Sequence, residues 1–318
     1  MRFLITGGAG FVGSNMADRL LRDGHEVVVY DNFTTGMRRF LASALENERF
    51  RLAEGDILDR PALTRAMEGC DFVFHFAANA DIRNNLDHPD FVFEQNARGT
   101  FQVLEAMRAA GVRRIAFSST GSVYGEPEVF PTPETCPFPV QTSLYAASKA
   151  YGEGMITSYC EGYGFTGYIF RFVSLLGERY PHGHVFDFVK RLKENPASLQ
   201  ILGDGHQRKS YLYIGDCLDA ILTVIGQDDP GVHIYNLGTD EYCEVRDSAS
   251  WIAARMGLQP EFTFTGGKRG WVGDSPFIYL DTAKIRSTGW KPRLTIRQAV
   301  ERTVDYLTEN PWLLEARK

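Results

Sequence analysis

Tyr145 and Lys149 are the two residues whose types and spacing most directly suggest chemistry. They lie four positions apart in the run QTSLYAASK, where residues at this spacing on a helix share one face. A free phenol has a pKa near ~10, and a neighbouring ammonium group favours the phenolate and lowers that pKa. The pair is therefore predicted to exchange protons with an alcohol. The alternative is an ordinary packing or surface pair on a helix.

A hydroxyl-rich segment, FSSTGSVYG, follows a predicted buried strand and carries Ser118, Ser119, Thr120 and Ser122. In doubly wound folds, ligands bind outside the carboxyl ends of the strands, where this segment is expected. One of the hydroxyls is predicted to share a substrate oxygen with Tyr145. The others fit the alternative reading, in which turn hydroxyls are satisfied by nearby backbone groups.

The segment TGGAGFVG lies between the first predicted strand and the first predicted helix, with glycines at Gly7, Gly10 and Gly13. Such a turn tolerates positive φ and brings backbone N–H groups close to a pyrophosphate at a helix N-terminus. Asp31 ends the second predicted strand, where a carboxylate accepts the ribose hydroxyls of a bound dinucleotide. A tight structural turn followed by a solvated loop acid is the alternative.

The same region predicts which dinucleotide binds. A carboxylate at Asp31 repels a 2′-phosphate, and no arginine follows until Arg38, so NAD is favoured over NADP. Asp56 and Ile57, in the segment GDILD after the third predicted strand, are expected near the adenine. Part of that segment is also explained by a helix N-cap at Asp59.

Short apolar runs alternate with helix-length segments through the first half of the chain. The predicted strands are 2–6, 26–30, 50–54, 72–76, 113–119 and 167–172, and the clearest helical segments are 11–24 and 91–111. Strands without polar alternation are buried on both faces, so the pattern predicts a doubly wound parallel α/β (Rossmann) sheet. We expect this domain to span 1–172, with a return strand near 234–239, and a smaller mixed lobe to span mainly 173–318.

Composition restricts the class of protein. The 318 residues carry a formal net charge of −6, which offers no general attraction for nucleic acid or an acidic membrane surface. Five scattered cysteines without a CxxC pair predict neither a disulfide framework nor a metal site. The chain lacks an apolar run long enough to span a bilayer and begins with a strand-like segment instead of a signal peptide. We therefore expect a cytoplasmic protein.

Several motifs, taken in order, resemble those of a known family. They are TGGAGFVG, the strand ending at Asp31, HFAANADIR, FSSTGSVYG, YAASK, GDGHQRKSYLYIGD and RGWVGDSP. Together they resemble the extended short-chain dehydrogenase/reductase family, in its nucleotide-sugar epimerase/dehydratase branch, over nearly the entire chain. The resemblance implies a seven-stranded Rossmann lobe that binds NAD and a small lobe that grips a nucleotide diphosphate.

The resemblance also implies roles for individual residues. Tyr145 would be the acid/base, Lys149 its partner and the anchor of the nicotinamide ribose, and Thr120 the hydroxyl partner on the substrate. Asn96, in FEQNARGT, would support the helix of Tyr145 and the cofactor region, with a plain helix-interior amide as the alternative. The implied cofactor-binding set is Gly7, Gly10, Phe11, Val12, Asp31, Asn32, Asp56, Ile57, Phe76, Ala77, Ala78, Asn96, Ser118, Tyr145 and Lys149.

Within this branch the chain resembles the 4-epimerases. Dehydratases of the family have an Asp and a Glu after the threonine, where this chain has Gly121 and Ser122, and related decarboxylases carry an acid at the second of these positions. Without a second acid/base there, the simplest remaining chemistry is inversion at C4 through a transient 4-keto sugar. A sugar-nucleotide dehydratase or ketoreductase stays the runner-up, and a non-catalytic NAD-binding sensor is a more distant alternative.

The substrate is predicted less sharply. Hexose epimerases often have Asn where this chain has Ser174. Arg179 lies where uronate-handling relatives have an arginine. A hexose, an N-acetylhexosamine and a uronate therefore all remain candidates for the sugar. A solvated loop charge is the alternative for Arg179. A UDP-sugar is the expected ligand. The substrate-binding candidates are Ser122, Ser174, Arg179, Gln207, Lys209, Tyr211 and Arg269, with the choice between Arg208 and Lys209 undecided.

The helices that carry Asn96 and Tyr145 have apolar and small residues on more than one face. Family members pair these helices across a two-fold axis, so a homodimer is expected. The alternative is burial of both helices inside the monomer.

Overall fold

The computed structural model describes residues 1–80, 88–137, 140–227, 229–267 and 277–316. The chain forms two compact units. The first unit comprises Met1–Gly125, Phe138–Arg171 and Leu222–Tyr235, and the second unit comprises Glu126–Pro137, Phe172–Ile221 and Asn236–Lys318.

Fourteen strands lie in the described part of the chain. They are β1 (Arg2–Thr6), β2 (Glu26–Asp31), β3 (Phe50–Glu54), β4 (Phe72–His75), β5 (Arg114–Thr120), β6 (Thr166–Phe172), β7 (Ser174–Leu176), β8 (Ser198–Ile201), β9 (Arg208–Lys209), β10 (Tyr211–Tyr213), β11 (Val232–Leu237), β12 (Cys243–Glu244), β13 (Glu261–Phe264) and β14 (Phe277–Ile278). Seven of them form one sheet in the order β11-β6-β5-β4-β1-β2-β3. The pairs β1–β2, β1–β4, β2–β3 and β4–β5 are parallel. The predicted doubly wound α/β class is confirmed.

The central strands of this sheet are buried on both faces. Consecutive residues such as Leu4 and Ile5 in β1, and Val73 and Phe74 in β4, have no solvent exposure. Because neighbouring residues of a strand point to opposite faces, such continuous burial requires helices on both sides of the sheet. The strand order reverses between β1 and β4, which places the switch point of the fold at the carboxyl ends of these two strands.

The described part of the chain also contains α-helices. They are α1 (Phe11–Arg22), α2 (Ala42–Leu45), α3 (Arg60–Met67), α4 (Pro89–Val92), α5 (Gly99–Ala110), α6 (Leu144–Tyr163), α7 (His184–Glu194), α8 (Ile214–Ile225), α9 (Val245–Arg255), α10 (Ala283–Arg286), α11 (Ile296–Glu309) and α12 (Pro311–Ala316). Short 3₁₀ helices occupy Arg38–Leu41 and Gly121–Tyr124.

The predicted helix 91–111 is divided in the structure. A six-residue π-helical stretch, Phe93–Arg98, separates α4 from α5. α5 ends as predicted, with Gly111 in the left-handed conformation at φ 76°. π-helical turns are rare and occur frequently at functional sites, and this one contains Asn96.

The second unit is built from small sheets and helices. β9 pairs in antiparallel with β12 and in parallel with β14, while β10 pairs with β7 and β13 with β8. This mixture confirms the predicted mixed architecture of the smaller lobe. All five cysteines are free thiols. None of the helices in the described part of the chain is both long and apolar enough to cross a membrane.

Candidate active site

The glycine turn after β1 leads directly into the N-terminus of α1. Gly7 has φ 68°, and a Cβ atom on it would lie 2.6 Å from the backbone nitrogen of Ala77, beyond the end of β4. Both the conformation and the space therefore require glycine. Gly10 is the N-cap of α1 and offers the helix no side-chain cap. The first N–H groups of α1, from Phe11 and Val12 onward, thus face a region suited to an anion.

Asp31 lies at the carboxyl end of β2, beside the glycine turn. The residue is 8% exposed, and its two carboxylate oxygens accept the backbone N–H groups of Ala9 and Phe33, each at 2.8 Å. Burial raises the pKa of the Asp31 carboxyl group. A carboxylate oxygen has lone pairs for more than one donor, so this geometry accommodates the hydroxyls of a ribose. Arg38 points elsewhere, donating to Glu54 at 2.7 Å.

The segment after β3 contains the residues expected near the adenine. Asp56 accepts the side-chain N–H of Asn32 at 2.8 Å and the backbone N–H of Leu58 at 2.9 Å. The Ile57 side chain is 6% exposed and belongs to the hydrophobic core. Asp59 caps α3, since its carboxylate accepts the N–H of Ala62, as the alternative reading of GDILD proposed.

The segment after β4 lies across the switch point from the glycine turn. Phe76 and Ala77 donate their N–H groups to the carbonyl and the hydroxyl of Thr6, at 3.1 and 3.3 Å. These two residues and Ala78 are half-buried. An uncapped helix N-terminus, a nearby buried carboxylate and small residues at the switch point are the groups that a dinucleotide requires. The residues present therefore fit NAD.

Asn96 connects the loop after β4 to helix α6. Its amide accepts the N–H of Asn79 at 2.7 Å and donates to the Asn79 carbonyl and to the Ser148 hydroxyl, both at 2.9 Å. Ser148 in turn donates to the backbone carbonyl of Tyr145 at 2.7 Å. The π-helical stretch thus supplies a buried amide that orients the helix of Tyr145.

A buried histidine, which the sequence analysis did not identify, continues this polar network. His75 has no exposure, and its two ring nitrogens lie 2.8 and 3.0 Å from the hydroxyls of Thr6 and Thr100. Thr100 donates to the carbonyl of Asn96 at 2.7 Å. Burial lowers the pKa of His75 to about 3, so the ring is neutral at physiological pH. A histidine inside an otherwise apolar strand, FVFHF, was the signal available in the sequence.

The hydroxyls after β5 separate into two groups. Ser118 donates to the His75 carbonyl at 3.4 Å and Ser119 donates to Glu153, so both are satisfied internally. Thr120 and Ser122 are half-buried, and the Thr120 hydroxyl oxygen accepts the N–H of Ser122 at 3.1 Å. A hydroxyl that accepts in this way keeps its own proton for donation to a ligand.

Tyr145 and Lys149 lie on one face of α6, with Lys149 packed against β5. The Lys149 ammonium nitrogen is 5.9 Å from the centre of the Tyr145 ring and 4.6 Å from that of Phe117. Burial lowers the pKa of Lys149 to about 7, although Glu153 opposes the change, and burial raises the pKa of Tyr145 to about 12. The structure therefore does not show the expected shift of the phenol pKa toward neutral pH, because desolvation acts on Tyr145 in the opposite direction.

The second unit brings several of its predicted residues together. Ser174 of β7 is the register partner of Tyr211 in β10, and the Tyr211 hydroxyl lies 3.1 Å from Nδ1 of His184. The other ring nitrogen of His184 lies 2.6 Å from the Ser248 hydroxyl. Burial, and then the positive charge of Lys209, lowers the pKa of His184 to about 3. Sequence reasoning missed His184, whose only signal was its place after a glycine at the start of α7.

The structure separates Arg208 from Lys209. Arg208 is exposed and stacks on the rings of Phe277 and Tyr242, at 4.3 and 5.5 Å, whereas Lys209 is half-buried and close to His184. This arrangement favours Lys209 as the cation that faces a ligand.

The remaining substrate-binding candidates differ in their burial, hydrogen bonding and backbone conformation. Gln207 is 4% exposed, and its side-chain oxygen has no hydrogen-bond partner among the described residues. A buried acceptor of this kind is costly unless a donor reaches it. Arg179 is half-buried and has φ 69°, a left-handed conformation that is uncommon outside glycine. Arg269 and the motif RGWVGDSP lie outside the described residues.

These features define an NAD-dependent enzyme with a Tyr–Lys pair at the carboxyl edge of a doubly wound sheet. The profile of the NAD dependent epimerase/dehydratase family matches residues 3–238. The chain belongs to that family, in the nucleotide-sugar branch of the extended short-chain dehydrogenases/reductases. Its cofactor is NAD.

Three known proteins illustrate the similarity. A UDP-glucose 4-epimerase of Mycolicibacterium smegmatis is 33% identical, covering 96% of this chain and 98% of that protein. The crystal structure of Thermus thermophilus UDP-glucose 4-epimerase in complex with NAD has a TM-score of 0.84 and 33% identity, covering 97% and 99% of the two chains. A dTDP-glucose 4,6-dehydratase from Streptomyces venezuelae, solved with NAD, has a TM-score of 0.90 and 28% identity over both complete chains.

Proposed function

We propose that this protein is a nucleotide-sugar 4-epimerase that acts on a UDP-sugar. The observation that carries the proposal is the combination of Thr120, Tyr145 and Lys149 beside a dinucleotide turn, with no carboxylate in the segment Thr120–Gly125. Elimination of water across C5 and C6 needs a second acid/base, which this segment does not supply. Inversion at C4 needs one proton acceptor and a reversible hydride acceptor.

The chemistry is divided between the cofactor and this chain. When bound, NAD supplies a reversible acceptor for the hydride of C4. Tyr145 removes the proton of the C4 hydroxyl and later returns it to the alkoxide of the inverted sugar. Thr120 donates its remaining proton to the same sugar oxygen. Lys149, when protonated, stabilises the Tyr145 phenolate. The transient 4-keto sugar rotates before it is reduced, so that the hydride returns to its opposite face.

The second unit is proposed to bind the nucleotide diphosphate. Lys209 contributes a half-buried positive charge, and Tyr211 and Ser174, which are register partners on neighbouring strands, contribute hydroxyls. The buried side chain of Gln207 is suited to a polar group of the ligand, and Ser122 of the first unit to a sugar hydroxyl. Arg179 and Arg269 remain proposed contacts, with Arg179 the candidate for a carboxylate if the sugar is a uronate.

A homodimer is proposed through the face formed by α4, the π-helical stretch and α6. Large apolar side chains on these elements are exposed, including Phe91, Phe93, Leu144 and Tyr151 at 40–60%. Clustered exposed apolar residues of this kind mark interaction surfaces. Sedimentation velocity is expected to give twice the chain mass of 35.7 kDa, and a mass near 35.7 kDa would refute the dimer.

The reaction is tested by proton NMR of the purified protein with catalytic NAD. UDP-glucose, UDP-N-acetylglucosamine and UDP-glucuronate are incubated separately, and the anomeric and H4 signals are followed. A galacto-configured product from at least one sugar is the expected result. A stable keto product, or stoichiometric release of NADH, would instead indicate the alternative dehydratase or ketoreductase chemistry. Binding of NAD with no conversion of a wider nucleotide-sugar panel would support the non-catalytic reading.

A further inference from the structure

Two opposite charges are buried together close to Lys149. Glu153 of α6 is 4% exposed and Arg171 of β6 is 2% exposed. The Arg171 guanidinium donates to both carboxylate oxygens of Glu153, at 3.0 and 2.7 Å. Despite the opposing effect of burial, the Glu153 carboxylate raises the pKa of Arg171. Because a buried ion pair adds little or nothing to stability compared with apolar residues of similar volume, its place in the fold suggests another role.

The buried pair is connected to the strand end that carries Thr120. The Ser119 hydroxyl donates a hydrogen bond to Glu153. Arg171 donates to the Tyr124 hydroxyl at 2.8 Å, and Tyr124 ends the 3₁₀ helix that begins immediately after Thr120. The residue before Thr120 and the 3₁₀ helix after it therefore form hydrogen bonds to the same buried ion pair.

The buried pair also neighbours Lys149. Glu153 follows Lys149 by four residues on α6, so the two side chains share a helix face. Among the described residues, the titratable groups that interact with Lys149 are His75 on β4 and Tyr145 and Glu153 on α6, and Arg171 on β6 is bonded to Glu153. His75 is neutral and Tyr145 is protonated near pH 7, since burial lowers the pKa of the first to about 3 and raises that of the second to about 12. Of these four groups, Glu153 carries the negative charge.

We propose that Glu153 is a positioning residue that favours the protonated form of Lys149, and that Arg171 moderates this effect by sharing the Glu153 carboxylate. The catalytic role of this charge rests on the proposed function, in which the protonated Lys149 stabilises the Tyr145 phenolate. The charge of Lys149 itself is a property of the protein that can be measured without turnover.

The proposal predicts shifts of opposite sign for two single substitutions. Glu153→Gln removes the negative charge, so the pKa of Lys149 falls by about one unit or more, as expected for the loss of a close opposite charge. Arg171→Met leaves the Glu153 carboxylate without its guanidinium partner, so the pKa of Lys149 rises. A purely structural role for the buried pair predicts no such reversal.

The test is a pH titration of the apoprotein by NMR after labelling its lysines with ¹³C at Cε. The chain has eight lysines, and the signal that disappears in Lys149→Met identifies Lys149. Asp216→Asn is the matched control, because Asp216 is 1% exposed and accepts from Arg293 in the second unit. The expected result is a lower Lys149 pKa in Glu153→Gln, a higher one in Arg171→Met and no change in Asp216→Asn.

A Lys149 pKa that is the same in wild type and Glu153→Gln would overturn the proposal. If Glu153→Gln does not fold, the double variant Glu153→Gln/Arg171→Met, which removes both buried charges, is compared with Arg171→Met. The double variant must then have the lower Lys149 pKa, by about one unit or more, and equal values refute the proposal. If the Lys149 pKa shifts as predicted but the protein converts no sugar, the proposed function is refuted and the proposal for Glu153 stands.

Discussion

Replacing Lys149 by Met is predicted to stabilise the apoprotein at neutral pH. Burial lowers the pKa of Lys149 from 10.5 to about 7. At about 1.4 kcal/mol per pKa unit, burial of this lysine therefore lowers the free energy of unfolding by roughly 4–5 kcal/mol at and below pH 7. The unfolded state binds more protons than the folded state between pH 7 and 10.5, so the cost decreases as the pH rises. The advantage of the Met variant should shrink by about 1.4 kcal/mol for each pH unit above 7.

The measurement is urea unfolding of NAD-free protein at pH 7, 8 and 9, because bound ligand would add its own stabilisation. Lys193→Met is the control, since Lys193 is exposed on α7 and its replacement should give no pH-dependent difference. A Lys149→Met variant no more stable than wild type at pH 7 would refute the reasoning. A gain that stays constant from pH 7 to 9 would also refute it, because desolvation of a charge could not then be the cause.

Three further predictions concern the proposed activity and assembly. Tyr145→Phe should lower kcat by about 10²–10⁴-fold while NADH still binds normally in a fluorescence titration, and normal turnover would disprove the acid/base role. Asp31→Ser should weaken NAD binding about tenfold or more, through loss of charge-assisted hydrogen bonds to the ribose, and unchanged affinity in the same titration would argue against that contact. Phe93→Asp should convert the dimer to a monomer in sedimentation velocity, since it places a charge on a residue that is 60% exposed on the proposed interface; an intact dimer would locate the interface elsewhere.

The first unit was largely predictable because its signals are local. The buried runs at Arg2–Thr6 and Phe72–His75 have no polar alternation, and the glycine turn follows directly after the first of them. The π-helical stretch Phe93–Arg98 was not predictable, since its sequence has ordinary helical spacing. That stretch makes tertiary contacts that the local sequence does not show, such as the hydrogen bond from the buried amide of Asn96 to the hydroxyl of Ser148, 52 residues away.

The candidate active site was predicted in its residues but not in its electrostatics. Spacing alone placed Tyr145 and Lys149 on one face of a helix, but it cannot show how deeply they are buried. Burial reverses the expected shift of the phenol pKa and leaves Lys149 with a pKa of about 7. His75 and His184 were missed for a related reason. Each ring is held by hydroxyls from segments distant in sequence, which the local sequence does not show.

The most direct test of the central claim is to carry out the reaction in D₂O with an unlabelled UDP-sugar that the protein converts. If C4 is inverted by removal and internal return of its own hydride, with Tyr145 exchanging only the hydroxyl proton, the 4-epimer retains hydrogen at C4 and no deuterium enters the carbon skeleton. Deuterium at C4 would contradict this route to inversion. Deuterium at C5, accompanied by a stable keto product, would show that the protein is a dehydratase.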